Sequence, residues 1–126
     1  MGLPKKELER WKQVLLERRG TITQDLDGME KQARQPRSDA AGNLSSMPMH
    51  MADVSADNYE QDITFGLIEA EQLEVAEIDA ALVRIREGAF GICEGCEQPI
   101  KPTRLKAIPH ARLCIECKRK EEEGLL

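Results

Sequence analysis

Aromatic side chains are scarce in this chain: Trp11, Tyr59, Phe65 and Phe90 are the only four in 126 residues. That scarcity excludes a broad aromatic core, and helical packing helped by a local crosslink is the more economical route to stability. No long apolar run is present, which excludes a membrane-spanning helix. The opening stretch MGLPKKELERW lacks the apolar region of a secretory signal, so a reducing, cytoplasmic setting is expected. No glycine-rich phosphate loop or nucleophile motif is found either, and an enzyme is not expected. There are two histidines. His50 is isolated, and His110 reads as a surface residue rather than a metal ligand.

What the chain does have is four cysteines in two Cys-x-x-Cys pairs, Cys93/Cys96 and Cys114/Cys117, with seventeen residues between them. Two such pairs can converge on one ion, and four thiolates suit one tetrahedral structural zinc. Two disulfides or free thiols are the alternative, less suited to a reducing compartment. Four sulfurs would fill the shell and leave no position for a reactive water, so the site reads as structural. Gly95 suits a tight turn between the first two ligands. Pro99, Pro102 and Pro109 argue against continuous helix between the pairs. Ile100, Leu105, Ile108 and Leu113 supply a small apolar cluster around the ion, and Phe90 and Ile92 join that module to the rest. The KRKEEE run after Cys117 suits a short helix.

The net charge of −5 is unevenly spread. Residues 1–37 carry nine basic and six acidic side chains, residues 38–89 two and eleven, and residues 90–126 seven and six. The middle segment would repel naked DNA and favour a partner with a basic surface, or it simply keeps a long helix in solution. Basic residues around the finger, among them Lys101, Arg104, Lys106 and Arg112, could meet phosphate, but interspersed glutamates dilute them and no aromatics interleave.

Leu8, Trp11, Leu15, Arg18, Ile22, Leu26 or Asp25, Met29 and Ala33 recur at steps of three and four, predicting a helix over about 4–32 with Pro4 in its first turn. A second stripe, Thr64, Ile68, Glu71, Val75, Ile78, Leu82, Ile85 and Ala89, predicts a helix over about 57–87, opened by Asp57-x-x-Glu60 as a capping arrangement and ended by Gly88. Between them, residues 34–56 are punctuated by Pro36, Gly42, Asn43 and Pro48 and read as a long loop. Met47, Met49 and Met51 in that loop could fold back on the helices or meet a partner. The expected fold is mainly α: an antiparallel helical hairpin, or coiled coil, over 1–89 with its tip loop at 34–56, then a four-cysteine zinc finger and short C-terminal helix over 90–126. A monomer is expected.

The stretch FGICEGCEQPIKPTRLKAIPHARLCIECK, residues 90–118, with the long helix before it, resembles the DksA/TraR family of bacterial zinc-finger transcription regulators. The resemblance covers about 57–120, with a helical counterpart at 4–32. It implies a non-enzymatic protein that binds RNA polymerase, entering its secondary channel with the hairpin tip and modulating initiation without sequence-specific DNA recognition. The family's tip motif, Asp-x-x-Asp-x-Ala, falls on His50, Asp53 and Ser55, so only Asp53 matches. Asp57 offers a second carboxylate in a different geometry, and these two residues are the candidate partner-binding pair. The family's basic contacts for guanosine tetraphosphate fall on Glu77, Ile108 and Lys118. Only Lys118 keeps its charge, which leaves binding of that alarmone open. A zinc-stabilised adaptor with another protein partner and a weak nucleic-acid binder are the competing functions.

Overall fold

The computed structural model describes residues 3–34 and 51–125. Among them are four helices: α1 (Lys5–Arg34), α2 (Met51–Glu87), α3 (Pro102–Ala107) and α4 (Ile115–Glu122). The expected mainly helical class is what forms. Pro4 sits just ahead of α1, and its carbonyl accepts the first helical bond, from the Leu8 N–H at 3.0 Å. Proline is well suited here because its missing N–H would have no helical partner.

The start of α2 differs from the expectation. Helix begins at Met51 rather than near 57, so residues 51–56 are not loop. The last helix breaker before it is Pro48; the run Met-Ala-Asp-Val-Ser-Ala-Asp contains neither Gly nor Pro to delay nucleation. Asp57 is consequently interior to the helix and cannot cap it. The rest of the predicted loop, 35–50, with Met47, Met49 and His50, lies outside the described residues. At the other end, Gly88 takes a left-handed φ of 78°. Its N–H bonds Ile85 O at 3.2 Å while the Ala89 N–H bonds Arg84 O at 2.8 Å. This pair of bonds closes the helix as a Schellman motif, which glycine adopts without a side-chain penalty.

Two compact units can be distinguished: residues 1–20 with 75–126, and residues 21–74. In the first, the opening half of α1 and the closing part of α2 run antiparallel. Leu15, Ile78 and Ala81 are completely buried. Trp11 meets Phe90 with ring centroids 5.9 Å apart and planes tilted by 43°, a favourable offset for an aromatic pair. Arg19 grips Asp79 with both sides of its guanidinium, Nε to Oδ1 at 2.7 Å and Nη2 to Oδ2 at 3.4 Å. Arg19 thus flanks the seam, beside Arg18, which is exposed.

In the second unit the closing half of α1 pairs with residues of α2, again antiparallel. Gln72 reaches Glu30 at 3.5 Å. Ile22 and Ile68 are buried, and Leu26, Met29, Thr64 and Glu71 are half-buried along the same seam. The predicted stripe on α2 is therefore the packed one, apart from Ala89, which lies past the helix end and is exposed.

Candidate metal centre

The chain enters the metal module through Phe90 and Gly91. Gly91 has a left-handed φ of 82°, a backbone that glycine adopts without a side-chain penalty; a Cβ there would only reach van der Waals contact with Leu3 Cδ1, at 3.4 Å. A short hairpin follows. Ile92 and Pro99 form an antiparallel bridge, flanked by Cys93 N–H to Gln98 O and Ile100 N–H to Gly91 O, both 2.8 Å. The turn between them carries the first cysteine pair. Its reversal is made by Glu97, a non-glycine residue held at φ 62°, with its N–H on Cys93 O at 2.9 Å. Gly95 is needed for a different reason from the one expected. Its φ is ordinary, but a Cβ would stand 2.9 Å from Cys117 Sγ and 3.2 Å from Cys117 Cβ. The backbone passes too close to the sulfur cluster for any side chain.

The second pair sits at a helix start. Cys114 is the N-cap of α4, and its sulfur accepts the Cys117 N–H at 3.5 Å. Helix N-termini favour thiolate over thiol because free N–H groups point at the sulfur. Between the pairs, α3 opens with Pro102 in its first turn. Proline there starts a helix rather than breaking one, and the sequence reading missed this short element. Ile100, Leu105 and Leu113 are buried around it, as expected, with Ile108 half-buried.

All four Sγ atoms lie within 4.8 Å of one another. A regular tetrahedron with metal–sulfur bonds of about 2.3 Å has edges of about 3.8 Å, and Cys96 Sγ to Cys114 Sγ measures 3.9 Å. The donor set therefore fits one zinc ion. Cys93 and Cys117 are buried, Cys114 is partly covered and Cys96 is exposed. Burial would raise the Cys93 thiol, but N–H groups from Cys114, Cys96 and Gly95 outweigh it and bring the sulfur down to about 6. Cys117 is pushed up to about 12, first by burial and then by the neighbouring thiols. Such a cluster holds one negative charge easily and resists further ones. A divalent cation is what allows all four sulfurs to ionise together. The ion has only a structural role, since four protein ligands complete its shell.

Polar bonds bind the module to α2. Arg84 is nine-tenths buried; its Nη2 donates to His110 O at 3.3 Å and Ala111 O at 3.5 Å, and its Nη1 lies 3.8 Å from Glu94. Burial lowers the Arg84 pKa, against the pull of Glu94. Glu94 also receives Arg112 at 3.6 Å, Arg112 pairs with Glu121, and Lys118 reaches Glu121 at 3.3 Å. Arg112 first, then Lys118, hold the Glu121 carboxyl below its usual range. Arg104 Nε donates to Leu113 O at 2.8 Å. His110 is not a surface residue: its side chain is 9% exposed, and Nε2 lies 3.3 Å from Glu77 Oε2. A cavity of about 220 Å³ brings Glu77, Arg84, Arg104, Ile108, His110 and Lys118 together, which unites the three positions singled out for the alarmone. Sequence alone could not have named Arg84 or the Glu77–His110 pair, because nothing in a helical repeat marks which charged side chain a separate module will cover. Asp53 and Asp57 both fall within α2, one turn apart; neither is near the cysteines in sequence.

A family model described as the prokaryotic dksA/traR C4-type zinc finger matches residues 88–123. General stress protein 16O of Bacillus subtilis is 31% identical over 99% of this chain and 74% of that protein. The RNA polymerase-binding transcription factor DksA of Caulobacter vibrioides is 28% identical over 57% of this chain and 51% of that protein. The solved structure of transcription factor DksA2 from Pseudomonas aeruginosa superposes with a TM-score of 0.72 at 27% identity, covering 94% of this chain and 85% of that one. The likeness extends well past the cysteines into both long helices, so a zinc finger borrowed by an unrelated scaffold does not account for it: the chain belongs to the DksA/TraR family of C4-type zinc-finger transcription regulators.

Proposed function

We propose that this DksA-type regulator binds RNA polymerase and modulates initiation from the secondary channel, without reading DNA sequence. The observation that carries the reading is that the match to DksA2 spans 94% of the chain, helical pair included. Charge supports it. No lysine or arginine occurs between Ser38 and Val83, and so acidic a segment suits a basic protein channel and is repelled by phosphate. Asp53 and Asp57 are the residues proposed to act there. One helical turn separates them, and residues at that spacing share a helix face.

Purified protein is expected to bind core polymerase at low salt and to compete with another secondary-channel factor; absence of association removes the reading. Asp53→Asn and Asp57→Asn are expected to leave that binding within about threefold while reducing the effect on open-complex lifetime. For guanosine tetraphosphate the reading expects weak binding, because Glu77 places a carboxylate against a polyanion. Calorimetric titration of wild type and Glu77→Lys, with the substituted protein the tighter binder, tests this directly.

A further inference from the structure

Within residues 21–74, α2 has a second apolar seam that α1 does not use. Tyr59, Ile63, Gly66, Ala70 and Leu73 follow one another at steps of 4, 3, 4 and 3, the heptad spacing of a helix-packing face. At about 100° per residue their mean direction is roughly opposite Ile68, the residue buried against α1. Their exposure agrees with this placement: Tyr59 is 68% exposed, Leu73 61% and Ile63 46%, and Gly66 and Ala70 are exposed as well. Leu67, beside the seam, is also exposed. Scattered apolar residues on a surface are ordinary, whereas a regular row on an otherwise acidic helix is not.

We propose that this seam is a docking face for a basic amphipathic helix of another protein. Two features select that occupant. First, the centre of the row is small. A Cβ placed on Gly66 meets nothing within 4 Å, so Gly66 and Ala70 leave a hollow between the larger Ile63 and Leu73. A hollow of that kind receives a large side chain from a facing helix. Second, the flanks carry one sign of charge. Asp62 and Glu69 lie along the seam, and the segment has no cation to balance them. A second copy of this chain would set carboxylates against carboxylates, whereas lysines or arginines flanking the partner's apolar row would pair with them. The inference does not depend on polymerase being that partner.

The test uses the full zinc-loaded chain and a labelled four-heptad peptide with leucine at the two core positions of each heptad and lysine at the flanking ones. A peptide with glutamate at the flanking positions is the control. Fluorescence anisotropy is expected to show binding of the lysine peptide and at least tenfold weaker binding of the glutamate peptide. Ile63→Asp combined with Leu73→Asp should weaken the lysine peptide at least tenfold with helicity unchanged. Should that variant lose helicity, Ala70→Lys carries the same expectation and keeps both aliphatic side chains. The proposal is overturned if the lysine peptide fails to bind, or if it binds the seam variants as well as wild type. It is equally overturned if sedimentation shows a homodimer of this chain that the seam substitutions dissociate.

Discussion

At the scale of single residues, the metal centre is held by one steric and one conformational requirement as well as by its ligands. Gly95 lies under the sulfur cluster, and a Cβ there would meet Cys117 Sγ at 2.9 Å. Gly95→Ala is expected to cost at least tenfold in zinc affinity, measured by competition with a chromogenic chelator, because the ligand must move to make room. Glu97 is the reverse case. It holds a left-handed φ of 62°, which costs a non-glycine residue about 1 kcal/mol. Glu97→Gly should therefore raise finger stability by up to about 1 kcal/mol, less what glycine loses by its extra freedom when unfolded. Urea melts of the zinc-loaded protein check the direction, and a destabilised variant would mean that the Glu97 side chain makes a compensating contact. The ligands themselves were legible from their spacing, since two Cys-x-x-Cys pairs that hold all four cysteines suit one shared ion better than disulfides in a reducing compartment. The steric role of Gly95 was not, because Cys117 is far from it in sequence and close only after folding.

At the scale of elements, the helical seams were readable because each repeats over many turns, and the departures occur where the repeat is interrupted. Glu71 occupies a seam position between apolar residues. Its carboxyl is raised above the ordinary value, chiefly by desolvation and then by Asp25 and Glu74. A carboxyl that holds its proton more tightly when folded favours the folded state as pH falls and opposes it once ionised. Glu71→Leu is accordingly expected to stabilise the chain at pH 7, by about 1 kcal/mol from the apolar area gained, and by less at pH 4, where the native carboxyl approaches neutrality. Equal gains at both pH values would remove electrostatics from the account. Arg84 lies off that repeat, on the part of α2 that meets the metal module. Arg84→Ala strips hydrogen bonds from the His110 and Ala111 carbonyls, and leaving buried acceptors unpaired costs about 2 kcal/mol. Zinc affinity should weaken along with stability, since the ion binds the folded module. The early start of α2 was not legible because Asp57 and Glu60 together imitate a capping box, and only the absence of a breaker back to Pro48 shows that the helix continues past them.

At the scale of the whole molecule, the two compact units depend on different interactions, and zinc removal should separate them. Residues 1–20 with 75–126 contain the cysteines, whereas residues 21–74 contain no candidate ligand cluster among the described residues. The metal module has little else to fold it: α3 and α4 have only 6 and 8 residues, too short to persist alone. A structural zinc contributes on the order of 10 kcal/mol to such a module, more than a handful of buried aliphatics would replace. Chelation under reducing conditions is therefore expected to abolish hydrogen-exchange protection across 91–123. Protection should persist around Ile22 and Ile68, whose burial against the facing helix involves no sulfur. Far-UV helicity should fall only modestly, because α1 and α2 hold 30 and 37 of the helical residues. Replacing Cys93 or Cys117 with serine should reproduce the same pattern with less than a tenth of the wild-type zinc per chain. Loss of protection throughout both units on chelation would show that the helical pairing of residues 21–74 is itself conditional on the ion. Retention of protection in the finger would show instead that its small core, not zinc, holds it together.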